Sequence, residues 1–274
     1  MKINRFVSIP WHLIFIATIF ILIFPIIFAV GSSFKSLQDA YNNVLNIIPI
    51  QPTLENYQIF FNSLPAIQIT VNTFIIAAVV TIFKVITSFL AAYAFVYFQF
   101  RGKTVLYFLL ISTIFIPFTV TMIPNYLIIS KIGLTDSIWG VILPQLADAL
   151  GIFLMRQSMK TIPISLIEVA QLDNLSHVQI MRDIVLPLIK PAVTSTGIWF
   201  FISSWNEYVW PVLILKTTDN FTLPLALQMY ISSEGGTNFT VAMAVSVITM
   251  IIPLALYLAF QRYIVGTFTS SGIK

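Results

Sequence analysis

The sequence predicts an all-α protein that crosses a membrane six times, and three observations carry this prediction. Apolar residues make up 58% of the 274 residues and charged residues only 9%, whereas a soluble domain has roughly 25% charged residues. Six apolar runs are long enough to cross about 30 Å of hydrocarbon as helices. Basic residues are also concentrated in the segments that this topology places on one side of the membrane.

The six predicted spans are continuous apolar runs, at residues 11–30, 69–97, 105–129, 138–155, 188–215 and 239–264. Each should be helical, because in lipid the backbone polar groups find partners only within their own segment. The first run is too long for a cleaved signal and is expected to stay as a span. No repeat or linker interrupts residues 1–274, so one membrane domain is predicted. A short re-entrant piece before the last run would make five or seven spans the alternatives.

Prolines inside or at the ends of spans are expected to kink the helices that hold them. These prolines are Pro25, Pro117, Pro124, Pro144, Pro211 and Pro253.

The distribution of basic residues predicts the orientation. Six spans place both termini on one side, together with residues near 98–104 and 156–190. That side carries ten of the fourteen basic residues: Lys2, Arg5, Arg101, Lys103, Arg156, Lys160, Arg182, Lys190, Arg262 and Lys274. The opposite loops carry Lys35, Lys131 and Lys216, and Lys84 falls within a span. Positive residues favour the cytoplasmic side, so both termini are predicted to be cytoplasmic, with loops 31–68 and 216–238 outside.

Composition and motifs argue against several classes of function. The absence of cysteine excludes disulfides and cysteine-ligated metal sites, and the dispersed basic residues do not indicate nucleic-acid binding. His12 and His177 lie far apart in sequence, and the chain has no H-E-x-x-H, G-x-S-x-G or paired-carboxylate motif. We therefore predict no catalytic residues, no metal site and no enzyme activity.

Residues 163–186 are unusually polar for this chain and predict two short helices joined by a tight bend. Pro163 suits a first helical turn, and Asp173-Asn174 is a turn signal because asparagine readily enters the left-handed region. Ser176 and Gln179 have the spacing of a capping box. The second helix is expected to run from His177 to about Val185 and to stop before Pro187.

An amphipathic helix pair lying on the membrane surface is the simplest alternative for this insert. Such helices carry basic polar faces, whereas this one places Glu168 and Asp173 around its bend, where anionic lipid would repel them. Docking to a soluble partner accounts better for the composition.

The insert and several other segments resemble the permease subunits of binding-protein-dependent ABC importers. The insert resembles their EAA loop through Glu168-Val169-Ala170, Asp173-Asn174 and Ile184-Val185-Leu186-Pro187. The other matching segments are Ala91–Ala94 with Phe100–Lys103, Gly133–Ser137 with Ile142–Pro144, Ser204–Tyr208, and Gln261–Gly266. The sequence looks most similar to the second permease subunit of the carbohydrate group, which handles maltose-type oligosaccharides, multiple sugars and glycerol 3-phosphate. Val169 replaces the usual alanine of the motif, and Asn174 replaces its glycine.

The resemblance implies a machine with several subunits in a bacterial plasma membrane. The partners would be a second homologous permease, two ATP-binding subunits and an extracellular or periplasmic solute-binding protein, with a sugar or sugar-phosphate solute. This chain has no G-x-x-x-x-G-K phosphate loop, so ATP and Mg would be bound by the partner ATPase and this chain would need no cofactor. The residues implied in ATPase coupling are Glu168, Ala170, Asp173, Asn174, Ser176 and His177.

Polar residues inside spans are candidates for the solute pathway, because they are costly in lipid. The candidates are Lys84, Gln145, Asp148, Trp205, Asn206 and Glu207. Gln145 and Asp148 could line a wet cavity or form interhelical hydrogen bonds. Residues 205–207 could contact the solute, or could serve helix packing or gating, since the family shares the Trp-Asn pair whatever its substrate.

Lys84 leaves two readings open. It could form an ion pair with Asp148 or Glu207, or it could attract a phosphate and so favour glycerol 3-phosphate over a neutral sugar.

A secondary carrier is the alternative from another class of transporter. Such carriers often have inverted repeats and about ten or more spans, and neither is found here. A membrane-embedded enzyme is the third alternative.

Overall fold

The computed structural model describes residues 5–44, 46–231 and 238–270, and its regular structure there is entirely helical. Lys2 and Lys274, which contribute to the predicted charge bias, lie outside these residues. In chain order the α-helices are α1 (Arg5–Ser33), α2 (Leu37–Asn42), α3 (Glu55–Ser63), α4 (Ala66–Tyr97), α5 (Lys103–Ser112), α6 (Phe118–Lys131), α7 (Ile138–Ile142), α8 (Ala149–Met159), α9 (Ile164–Leu172), α10 (His177–Gln179), α11 (Leu186–Leu188), α12 (Lys190–Trp205), α13 (Val209–Ile214), α14 (Leu223–Ile231) and α15 (Phe239–Ser270). Short 3₁₀ turns lie at Thr113–Phe115, Leu143–Gln145 and Thr218–Asn220, and Ile180–Val185 is π-helical.

Three helices are long and apolar enough to cross a membrane by themselves: α1, α4 and α15. Three further segments qualify only as bent pairs, at 103–131, 138–159 and 177–214, with bends of 99°, 43° and 82°. Counting each pair as one span gives the six predicted crossings. The predicted spans 105–129, 138–155 and 188–215 are therefore interrupted helices.

Two of the three interruptions have a clear local cause. Ile116 is extended (φ −83°, ψ 113°) before Pro117, as expected because proline disfavours the helical region for the residue that precedes it. Asp148 is also extended, and its carboxylate accepts a hydrogen bond from Gly151 N at 2.9 Å, which starts a new helix. Ile189 departs from helical geometry (φ −102°, ψ 13°) just before Lys190-Pro191.

Contacts divide the chain into two units, of which the first comprises residues 1–67 and 223–252. Its loop between α1 and α3 is organised around a buried lysine, Lys35, which is 1% exposed. The Lys35 ammonium donates to the carbonyls of Asn43 (3.0 Å) and Asn46, while the Asn56 side chain donates to the carbonyls of Ser33 and Lys35. These bonds satisfy a charge that would otherwise be costly to bury.

The second unit comprises residues 68–222 and 253–274. One of its buried clusters joins the end of α4, the end of α8 and the helices of the polar insert. Its members are Ala92, Tyr93, Met155, Met159, Ile162, Ile167, Ala170, Ile180, Val185 and Ile189. The apolar face of the insert is therefore packed against the ends of two apolar helices.

Candidate functional site

The polar insert consists of α9 followed by α10, which continues through the π-helical stretch into α11. Pro163 is the residue just before α9, and the helix buries Ile167 and Ala170, which are 1% and 4% exposed. Both residues belong to the cluster at the ends of α4 and α8. Ala170, one of the implied coupling residues, thus fixes the position of α9 and is not available at its surface.

The bend after α9 has the left-handed geometry that the sequence predicts. Asn174 has φ +60°. Leu175 N donates to Ala170 O at 3.1 Å, and Asn174 N donates to Gln171 O at 3.0 Å. These two bonds form a Schellman motif, which satisfies carbonyls that the end of a helix leaves free.

The second helix begins with the predicted capping box. Gln179 N donates to Ser176 Oγ at 3.4 Å, and Ser176 N donates to Gln179 Oε1 at 2.8 Å. The expectation that this helix stops before Pro187 is wrong, because it runs to Leu188. Pro187 lies in the first turn of α11, directly after the π-helical stretch, where its missing N–H interrupts no α-helical ladder.

The outer surface of the insert combines acidic and apolar side chains. Glu168, Asp173, Asn174, Ser176 and His177 are all exposed. Large apolar residues on the same insert are exposed as well: Ile164, Leu166, Val169, Leu172 and Val178. Five of the six implied coupling residues therefore lie at a surface that another protein can reach.

His177 connects this insert to the end of α4. Its Nδ1 lies 3.0 Å from the Tyr93 hydroxyl, and its ring meets the Phe98 ring edge-on with centroids 4.7 Å apart. Tyr93 itself is 2% exposed. A movement of the insert would therefore be transmitted directly to α4, the long apolar helix that carries Tyr93.

A polar cavity of about 310 Å³ brings together three of the six candidate pathway residues, Lys84, Gln145 and Glu207. Its other lining residues are Phe118, Thr121, Asn125, Pro144, Ala147 and Trp210. Phe118 and Trp210 pack edge to face, with ring centroids 6.0 Å apart. The wall thus places the exposed Phe118 ring, which packs on the buried Trp210, beside amide and carboxylate groups.

Lys84, in the wall of this cavity, forms an ion pair with Asp148. Its ammonium lies 3.6 Å from Asp148 Oδ2 and 5.2 Å from the centroid of the Phe200 ring. The two charged side chains are only 15% and 23% exposed, so each needs the other as a counter-charge. Of the two acids that the sequence left open as partners, Asp148 is the one within ion-pair distance.

Three of the pathway candidates form hydrogen bonds with backbone groups. Glu207 Oε1 accepts hydrogen bonds from Val209 N and Trp210 N at the start of α13. Gln145 Nε2 donates to Val141 O at 2.9 Å. Trp205 is fully buried and stacks on Phe201, whereas Asn206 Nδ2 donates to Ile202 O.

Trp205 and Asn206 do not line the cavity, and their geometry favours the packing alternative. Sequence reasoning missed Thr121, Asn125, Phe118 and Trp210 as lining residues. Asn125 carries the clearest signal among them, as an amide inside an apolar run.

A loop outside the spans carries a strongly perturbed acid, Asp136. Partial burial raises the pKa of its carboxyl group, but hydrogen bonds from the backbone N–H groups of Thr217 and Lys216, together with side-chain bonds, outweigh this effect and lower the pKa to about 2. Asp136 also has φ +56°. The carboxylate therefore ties the loop after α6 to the segment after α13.

Comparison with known proteins identifies the family. A family model described as the binding-protein-dependent transport system inner membrane component matches residues 3–268. The chain is 30% identical over 262 residues to the sn-glycerol-3-phosphate transport system permease protein UgpE of Rhizobium meliloti (strain 1021), covering 93% of each chain. It is 32% identical over 265 residues to the UgpE protein of Escherichia coli O1:K1 / APEC, covering 92% of this chain and 94% of that one.

Solved structures show the same fold. One chain from the crystal structure of a bacterial ABC transporter involved in the import of the acidic polysaccharide alginate superposes with a TM-score of 0.79 at 23% identity, covering 96% of this chain and 98% of that one. A chain from the bacterial alginate ABC transporter in complex with an alginate pentasaccharide-bound periplasmic protein has a TM-score of 0.66 at 16% identity, with coverages of 93% and 94%.

Proposed function

Because this chain belongs to the family of binding-protein-dependent transport system inner membrane components, we propose that it forms half of an ATP-driven import pathway and receives its driving force through residues 163–186. The other half would be a second homologous permease. Two separate ATP-binding subunits would hydrolyse ATP, with ATP and Mg bound entirely by them. A solute-binding protein would deliver the solute from outside the cell.

The exposed surface of the insert is the observation that carries this proposal. Its inner face is packed on the ends of α4 and α8, and its bend is held by the Schellman motif and the capping box. Its outer face combines Glu168 with exposed leucine and valine side chains. A preorganised element whose surface is both apolar and acidic is suited to docking on a soluble protein. Because its inner face is packed on α4 and α8, a force on the element would be transmitted to those helices.

The orientation of the chain follows from its charge distribution. The predicted cytoplasmic segments hold ten of the fourteen basic residues, a bias that favours cytoplasmic termini and a cytoplasmic insert. The ATPase would then meet the insert from inside the cell.

Single cysteines test this docking and this orientation together, because the natural chain contains none. Leu172→Cys and Val178→Cys place a thiol on the insert, at positions 81% and 67% exposed, and Ile48→Cys places a matched thiol on the outward loop, at a position 81% exposed. In membranes that hold the assembled importer, we expect the first two to cross-link to an ATPase subunit and only the third to react with an impermeant thiol reagent from outside. If the external reagent labelled the two insert cysteines and not the third, or if neither insert cysteine cross-linked to an ATPase subunit, the proposed docking would be wrong.

The cavity favours a neutral, hydroxyl-rich solute, and we therefore assign the importer to sugars. The positive charge of Lys84 is compensated by Asp148 at 3.6 Å, and Glu207 adds a carboxylate to the wall. Amide and carboxylate groups can hydrogen-bond to sugar hydroxyls, while the exposed ring of Phe118 offers an apolar face to C–H groups.

Glycerol 3-phosphate is the second candidate solute. It is favoured by the name of the UgpE relatives and by the presence of a cation, Lys84, at the cavity wall. For a phosphate to bind there, Lys84 would have to leave Asp148.

Variants that remove one or both charges of this ion pair distinguish the two solutes. Lys84→Met alone leaves the carboxylate of Asp148 unpaired, so we expect it to impair the protein more than the neutral double variant Lys84→Met/Asp148→Asn. If the solute is a sugar, the double variant should keep sugar affinity within about threefold of the wild type, because the pair contributes no net charge to binding.

The readout is uptake of sugars and of glycerol 3-phosphate by the assembled complex at matched membrane levels. A wild type that imports glycerol 3-phosphate, together with a double variant that binds it about tenfold more weakly or worse, would show that Lys84 holds phosphate.

A further inference from the structure

A second group of cations lies outside the coupling insert and the polar cavity, where α5 packs on α8. The guanidinium of Arg156, in the last turn of α8, lies over the ring of Tyr107 at 3.9 Å from its centroid. Lys103 is four residues before Tyr107 and Lys160 is four residues after Arg156, so each lies on the same helix face as its neighbour. Arg156 and Lys160 both act electrostatically on Lys103.

Polar groups at this junction lack partners. The Nε of Arg156 and the hydroxyl of Tyr107 are both buried, and neither has a hydrogen-bond partner among residues 5–44, 46–231 and 238–270. Within those residues the ion pairs are Lys84–Asp148 and Arg182–Asp183, so no carboxylate neutralises Arg156. Leaving a partly buried guanidinium without a counter-charge is costly, and an anion beside it would offset that charge.

We propose that Arg156, together with the charges of Lys103 and Lys160, binds the phosphate of an anionic membrane lipid, and that the Tyr107 ring positions its guanidinium. An arginine that is stacked on an aromatic ring presents its remaining N–H groups as a planar fork, the geometry that suits phosphate. Lys103 also donates to the carbonyls of Val96 and Phe98, so it contributes mainly charge.

A lipid is favoured over free phosphate by the surface beside the cluster. Lys103 begins α5 and Arg156 lies in the last turn of α8, so both lie near the ends of apolar segments, where headgroups are found. The following turns of α5 expose large apolar side chains along which acyl chains can lie: Val105, Leu106, Phe108 and Leu109. This site is independent of the solute and of the ATPase.

The test measures lipid binding to the intact chain in its purified complex. Native mass spectrometry in mild detergent would follow titration with phosphatidylglycerol and, separately, with zwitterionic phosphatidylcholine. We expect phosphatidylglycerol to bind about fivefold more tightly than phosphatidylcholine, and Arg156→Gln to remove most of this preference. Tyr107→Phe, which keeps the ring on which the guanidinium lies, should leave phosphatidylglycerol binding unchanged.

Arg182→Gln is the matched control, since it also removes one arginine charge but from an exposed side chain that is paired with Asp183. It should leave lipid binding unchanged. Equal losses in Arg156→Gln and Arg182→Gln would reduce the effect to general surface charge and overturn the proposal. Displacement of phosphatidylglycerol by millimolar inorganic phosphate would overturn the lipid as ligand. If the Arg156→Gln complex lost the second permease but kept its lipid, the anion that pairs with Arg156 would belong to a partner protein instead, and the lipid proposal would be overturned.

Discussion

Replacing Glu168 by lysine is expected to lower import by at least about tenfold while the chain stays in the membrane at its normal level, since a coupling energy of about 1.4 kcal/mol corresponds to a tenfold effect. Glu168 is exposed on α9, one residue after the buried Ile167. Reversing its charge therefore changes the proposed docking surface and leaves the inner face of the helix intact. The measurements are solute uptake and solute-stimulated ATP hydrolysis by the reconstituted complex.

Asp183→Asn supplies the control for Glu168→Lys within the same insert. Asp183 is also exposed, but both of its carboxylate oxygens accept hydrogen bonds from Arg182, at 2.7 and 3.0 Å. It is thus engaged within this chain and is expected to be dispensable for coupling. Normal import by Glu168→Lys, or equal losses in both variants, would contradict the assignment of Glu168 to the ATPase interface.

The helix pair of the insert could be predicted because its determinants are local. The capping box joins residues three apart, and the Schellman bonds join residues within five positions of each other. Each is therefore visible in a short stretch of sequence. The end of the second helix was misplaced because the π-helical stretch changes the hydrogen-bond pattern before Pro187, and neither composition nor spacing reports such a change.

The apolar runs predicted six segments but not the interruptions in three of them. Hydropathy measures only whether a segment prefers lipid, and it is insensitive to a few residues of extended backbone at Ile116 or Ile189. Pro117 was recognised as a source of bending at the first break, whereas no proline was predicted to bend the chain at the second. The size of each bend, 99° or 82°, depends on packing against other segments.

Polar cavities are harder to predict, because their residues meet only through tertiary structure. Lys84 and Asp148 are separated by 64 positions, and the sequence offered Glu207 as an equal partner. Glu207 instead caps the start of α13. Thr121 and Asn125 were missed because uncharged polar side chains are common in spans and carry a weak signal alone.

Gly140→Ala is expected to destabilise the protein by about 3 kcal/mol, at the upper end of typical overpacking costs, which corresponds to a fall of about 6 °C or more in denaturation temperature. A Cβ atom on Gly140 would lie 2.1 Å from the backbone carbonyl oxygen of Leu134 and 3.0 Å from Ile214 Cγ2. A backbone oxygen cannot rotate away as a side chain can. The carbonyl oxygen of Gly140 also accepts a hydrogen bond from the buried Trp210 Nε1 at 3.2 Å, so displacing α7 would disturb a wall of the polar cavity.

Gly197→Ala is the matched control for Gly140→Ala, because both glycines lie inside helices. The nearest atom to a Cβ on Gly197 is Val85 Cγ2 at 3.5 Å, an ordinary van der Waals contact. Alanine is the better helix former by about 1 kcal/mol, so this variant should be as stable as the wild type or slightly more so. Fluorescence-detected thermal denaturation of both variants in detergent makes the comparison. Equal denaturation temperatures would mean that the loop carrying Leu134 does not lie against α7 as described, because the two glycines differ mainly in what surrounds them.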